Sequence, residues 1–162
     1  GPGGRAIGVD LTPAMREAAA DAAREGGLDA IVDIRAGVFE ELPLAGASAD
    51  VVLSNGVLNL TPDKPQVLRE AFRVLRPGGR LHLADVIVHR ELSLAARSDP
   101  ELWAACIGGA LTEDELFALC RDAGFVDGRV VLRHQSFAGT SAEQRLSRDL
   151  HVGAVTFFAR KP

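Results

Sequence analysis

Short apolar runs alternate with helix-forming stretches along most of this chain, and that alternation leaves few architectures open. Residues 5–10, RAIGVD, read as a strand. Thr12 as N-cap and Pro13 at the first helical position then open an Ala-rich helix to about Arg24, which Gly26 and Gly27 stop. Residues 30–36 and 50–54 give two further strands, the second a compact DVVLS. The loop NGVLNLTPDKP leads to a helix over residues 65–75. There Val67, Leu68, Ala71, Phe72, Val74 and Leu75 recur at helical spacing on one face. The turn Arg76-Pro77-Gly78-Gly79 feeds a strand at 80–88. A helical stretch follows at 98–108, and Thr112 with Glu115 forms a capping box for a helix ending at Gly124. The expected architecture is an α/β domain with a doubly wound, mostly parallel sheet. Residues 128–134 and 153–160, with no helical pattern between them, should pair antiparallel at one edge.

At 162 residues the chain is about the size of a single domain. A net charge of −4, with Lys and Arg scattered, argues against a nucleic-acid surface. No run approaches the roughly 20 apolar residues that span a bilayer, so no membrane partner is expected. The two cysteines, Cys106 and Cys120, are too few for a disulfide framework and favour a reducing, cytoplasmic setting. The four histidines, His82, His89, His134 and His151, show no metal-type spacing, and no metal is expected. His82 alternates with apolar neighbours and should lie on the less buried face of its strand. Cys120 reads as a small buried residue of an amphipathic helix. Gly1-Pro2 reads either as a tag remnant or as a native turn.

The first strand ends on Asp10. In a doubly wound sheet, ligands bind beyond the carboxyl ends of the strands, where a carboxylate can accept hydrogen bonds from both hydroxyls of a ribose. The alternative is a turn residue ahead of Thr12, and the acid alone does not separate the two.

Other stretches bear on the choice. GVDLTPAM, SNGVLNLTPDKP, FRVLRPGGRL and WAACIGGALTEDEL, in that order, resemble the class I S-adenosylmethionine-dependent methyltransferases, and most nearly their arsenite methyltransferase branch. The resemblance covers about residues 1–125. It implies that Asp10 binds the cofactor ribose, that Leu11 lies against the adenine, and that Val38 and Phe39 border that ring. Many relatives carry an acid at the Val38 position. It implies too that Asn55 offers its backbone carbonyl near the methionine end, and that a small-molecule acceptor is held near Gly56 and Cys106. In arsenite methyltransferases a cysteine in a stretch like WAACIGGAL binds trivalent arsenic, a soft ion that suits a thiolate. Those enzymes use two or more cysteines, and Gly56 stands where they often carry one. The other reading of Cys106 is a core or pocket-lining residue. No catalytic residue is singled out, because the sulfonium is already a good leaving group and in-line positioning supplies much of the catalysis.

The resemblance also implies a strand, a glycine-rich loop and a helix ahead of Arg5, and none precedes it here. Without them the expectation is weak cofactor binding or none. A preceding segment or a second copy of the chain, as a homodimer, should then cover the exposed central strand edge. The expected activity is methyl transfer from S-adenosylmethionine in the intact or assembled form. The rival is a non-catalytic dimeric interaction domain that keeps only the fold.

Overall fold

The computed structural model describes residues 3–134 and 152–162; His151 lies outside them. The chain divides into two compact units, Gly1–Ala45 and Gly46–Pro162.

The first unit is a strand–helix–strand: β1 (Ala6–Asp10), α1 (Pro13–Glu25) and β2 (Val32–Ala36). β1 and β2 run parallel, with Ala6 opposite Val32 and Asp10 opposite Ala36. Thr12 occupies the N-cap position of α1, but its side chain makes no capping bond. The turn ahead of the helix is fixed by Asp10, whose Oδ1 accepts the Thr12 N–H at 2.7 Å. No described residue of this unit is buried.

The second unit carries β3 (Ala49–Asn55), a 3-10 turn (Leu58–Leu60), α2 (Lys64–Val74), β4 (Leu75–Val88), α3 (Leu94–Arg97), α4 (Pro100–Ala104), α5 (Glu113–Asp122), β5 (Val126–His134) and β6 (Val152–Arg160). Its sheet has the order β3-β4-β6-β5. β3 and β4 are parallel, while β6 lies antiparallel to both β4 and β5, forming the antiparallel edge the sequence leads one to expect.

The core follows from two periodicities. Leu81 and Leu83 on β4, and Val155, Phe157 and Ala159 on β6, alternate into the interior. Their cross-strand partners match, Leu81 with Ala159 and Leu83 with Phe157. From the helices come Val67, Leu68, Ala71 and Val74 on α2, and Leu116 and Cys120 on α5. Phe117 meets Phe157 edge-on at 5.2 Å, and Phe72 meets Phe125 in the same way at 5.2 Å. His82 points to the other, half-buried face, where its ring packs edge-on against Phe158 at 5.1 Å. The capping box of α5 forms as expected, with Glu115 N–H on Thr112 Oγ1 and Glu115 Oε2 on the Thr112 N–H.

Two local expectations are revised. Residues 76–79 do not separate α2 from a strand beginning at 80; β4 already starts at Leu75, opposite Ala49. Pairing with β3 then jumps to Val51 opposite Arg80, so the Arg-Pro-Gly-Gly segment interrupts the ladder, with Gly78 in the left-handed region at φ +77°, and continuous pairing begins at Arg80. The helical stretch expected at 98–108 breaks after Ala104, and Cys106 sits outside it at φ +60°.

Candidate functional site

In the first unit the chemistry collects at the carboxyl ends of the parallel strands. Asp10, the last residue of β1, is half-buried. Its Oδ1 holds the Thr12 N–H, and among the described residues Oδ2 has no partner. Arg16, one turn into α1, fixes this corner by donating from Nη1 to the carbonyls of Asp10 (3.0 Å) and Leu11 (2.7 Å). Sequence reasoning missed Arg16, since nothing local marks a helical arginine as a clamp on the preceding turn. Leu11 is 69% exposed. Beyond β2, Gly37 donates to the Asp10 carbonyl at 3.4 Å. A Cβ on Gly37 would lie 2.9 Å from both Val9 and Pro43, so only glycine permits this approach. Val38 is exposed, bridges to Glu41 and accepts its N–H at 3.2 Å, and Phe39 beside it is half-buried.

The second unit gathers a separate group at the carboxyl ends of β3 and β4. Asn55 ends β3 opposite Ala84 and is exposed; with Leu53, His82, Ala84 and Thr156 it lines a shallow depression on the sheet. Gly56 donates its N–H to the Ala84 carbonyl at 2.9 Å, at φ +69°. A Cβ there would meet open space. Cys106 Sγ lies 3.7 Å from the Gly56 carbonyl oxygen, so the fold brings together two positions 50 residues apart.

Three residues of this group were not singled out from the sequence. Asp85 accepts the Val86 N–H at Oδ1 (2.8 Å) and the Asn59 N–H at Oδ2 (3.2 Å). Asn59 is 1% exposed, and its amide donates to the carbonyls of Val86 (2.7 Å) and Cys106 (3.2 Å). Lys64, also buried, donates to the Thr61 carbonyl at 2.9 Å and lies 5.3 Å from the centre of the Trp103 ring. Burial holds the Asp85 carboxyl above its ordinary range against the opposing pull of its backbone N–H donors and Lys64. Burial, then the Asp85 charge, pushes the Cys106 thiol up. Cys120 is inert by comparison, its thiol pushed up to about 12 by burial alone. Among the described residues no three His, Cys, Asp or Glu side chains converge in a metal-type group, and no helix is long and apolar enough to cross a membrane.

A parallel strand–helix–strand ending on a carboxylate, together with a sheet that turns antiparallel at its far edge, defines a Rossmann-like fold of the methyltransferase type. A solved arsenic(III) S-adenosylmethionine methyltransferase from Chlamydomonas reinhardtii superposes with a TM-score of 0.82 at 34% identity, over 96% of this chain and 55% of that one. The model of the methyltransferase domain family matches residues 1–124, and the chain belongs to that family. Among curated proteins it is 37% identical over 164 residues to the arsenite methyltransferase of Halobacterium salinarum, covering 100% of this chain and 41% of that protein. It is 43% identical over 137 residues to that of Aquipseudomonas alcaligenes, covering 81% and 40%. The chain thus spans about two fifths of the length of these relatives.

Proposed function

We propose that this chain is part of an S-adenosylmethionine-dependent methyltransferase acting on a small, soft acceptor of the arsenite type. The observation that carries the reading is Asp10: a half-buried carboxylate at the tip of a parallel strand, one oxygen committed to the Thr12 N–H and the other without a partner among the described residues. Such an oxygen suits a ribose hydroxyl. Leu11 and Val38 offer apolar surface to an adenine ring, and Phe39 borders it. Asn55, at the end of β3 in the second unit, is proposed as a cofactor contact through its backbone carbonyl on the family resemblance alone. The cofactor supplies an electrophilic methyl group carried on a sulfonium.

Gly56 and Cys106 hold the acceptor. The thiol is protonated at rest, and capturing trivalent arsenic exchanges the S–H for an S–As bond, the proton leaving with a hydroxide of arsenite as water. Relatives of the arsenite branch would do this with a second thiol where Gly56 stands, so a single thiol points to weaker capture here or to a different soft acceptor.

The strand edges support a further part of the reading. β1 pairs only with β2, and β3 only with β4, among the described residues. We expect each of these edges to be covered, by preceding sequence or by a second copy of the chain, because an open edge templates unwanted pairing. The mass of the purified chain in solution distinguishes the two.

Calorimetric titration with S-adenosylmethionine and with its demethylated product tests the assignment. Asp10→Asn keeps the oxygen that holds the Thr12 N–H and replaces the free acceptor with a donor. Binding that weakens roughly tenfold or more in this variant supports the reading, from the usual worth of a hydrogen bond to a charged group. No heat at millimolar ligand from chain whose edges are covered would reject it in favour of a non-catalytic interaction domain.

A further inference from the structure

Among the described residues, Cys106 is one of three other than glycine whose φ is positive. A left-handed conformation costs an L-residue about 1–2 kcal/mol, and it persists only where its surroundings hold it. At Cys106 the hold has an identifiable source. The Cys106 backbone N–H donates to the Trp103 carbonyl at 2.9 Å, and its carbonyl accepts from Asn59 Nδ2 at 3.2 Å. Asn59 is itself fixed: its second amide hydrogen goes to Val86, its N–H to Asp85, and its carbonyl oxygen faces Gly109 so closely that a Cβ there would be 1.9 Å away. One buried side chain therefore ties the residue carrying the thiol to the end of β4.

We propose that Asn59 is a positioning residue for Cys106, whose amide holds residue 106 in the left-handed conformation and so aims the thiol at the Gly56 carbonyl. The inference rests on the reading of Cys106 as an acceptor-binding residue and adds to it the device that sets the thiol's direction. An asparagine suits the task because its two amide hydrogens can serve two carbonyls on different segments at once. A serine is too short and has a single hydrogen. An aspartate would present oxygens to both carbonyls, beside a second carboxylate.

Alkylation by iodoacetamide, followed peptide by peptide, tests the proposal without cofactor or acceptor. It can therefore fail or succeed independently of the methyltransferase assignment. In Asn59→Ala, Cys106 should leave its half-buried seat and its labelling should accelerate by roughly fivefold or more, while Cys120, buried in α5 at 2% exposure, stays unlabelled. Asn59→Ser, a milder change, should show the same selective rise. A Cys106 rate within about twofold of the parent in either folded variant would overturn the proposal, by the factor a released strain should exceed. So would a joint rise at Cys106 and Cys120 in both variants, which would make Asn59 a general support of the fold.

Discussion

Lys161, at the far end of the chain, is built into the end of α2, and removing its charge should measurably weaken the second unit. Its Nζ donates to the carbonyls of Phe72 and Leu75, both at 2.8 Å, and lies 4.4 Å from the centre of the Phe72 ring. These are carbonyls that a helix C-terminus leaves without intrahelical partners, at the negative end of its dipole. Hydrogen bonds to a charged donor contribute about 1.5–3 kcal/mol each when secluded. Lys161 is only partly buried and water can replace it, so about 1 kcal/mol each is the better figure. The ring contact adds about 0.5 kcal/mol. Lys161→Met keeps the aliphatic stem and should therefore cost about 2.5 kcal/mol, or about 1.2 M in the urea midpoint at an m-value of about 2 kcal/mol/M. The single tryptophan, Trp103 in α4, reports on this unit by fluorescence. A midpoint unchanged in Lys161→Met would refute the view that the last residues of the chain cap an internal helix.

Other expectations are equally direct. Gly109→Ala sets a Cβ 1.9 Å from the Asn59 carbonyl oxygen and 2.9 Å from the Trp103 ring, so it should cost about 3 kcal/mol or more and lower the yield of folded chain. An unchanged melting temperature would contradict the packing described. Asp85 titrates above its ordinary value because it is buried, so the folded chain binds that proton more tightly than the unfolded chain. Its contribution to stability is therefore full at low pH and lost as pH rises from about 4 through the folded value. Asp85→Asn removes this slope, and a parent and variant with parallel stability–pH curves would refute the assignment. Gly56→Cys places a second thiol beside Cys106, and phenylarsine oxide should then bind roughly tenfold more tightly or better, through the effective concentration of the paired thiol. Equal affinities would show that the two positions do not share a ligand.

Much of the layout could be read from residue order, because it depends on local signals. The Thr112–Glu115 box, the helical stripe of α2 and the two-residue alternation of β4 and β6 each follow from neighbours along the chain. The site was less legible because its geometry is set at long range. Cys106 carries no local sign of a left-handed backbone; that arises from Asn59, 47 residues earlier. Asn59 reads as one polar residue of a loop, although its place between two leucines, LNL, was an available hint of burial. Asp85 offered the same signal as Asp10, an acid inside or ending an apolar strand, and was passed over because ADVIV reads simply as strand. Thr12 takes the N-cap position its place before Pro13 predicts; what residue order did not show is that its side chain makes no capping bond while its own N–H goes to the Asp10 carboxylate.

The central claim is that Asp10 faces the sugar of the cofactor, and a structure of the chain crystallised with S-adenosylhomocysteine tests it most directly. The account predicts ribose hydroxyls within hydrogen-bond distance, about 2.7–3.0 Å, of the Asp10 carboxylate, with Oδ1 still holding the Thr12 N–H. A nucleoside bound elsewhere, with Asp10 unchanged and in contact only with its own turn, would contradict it.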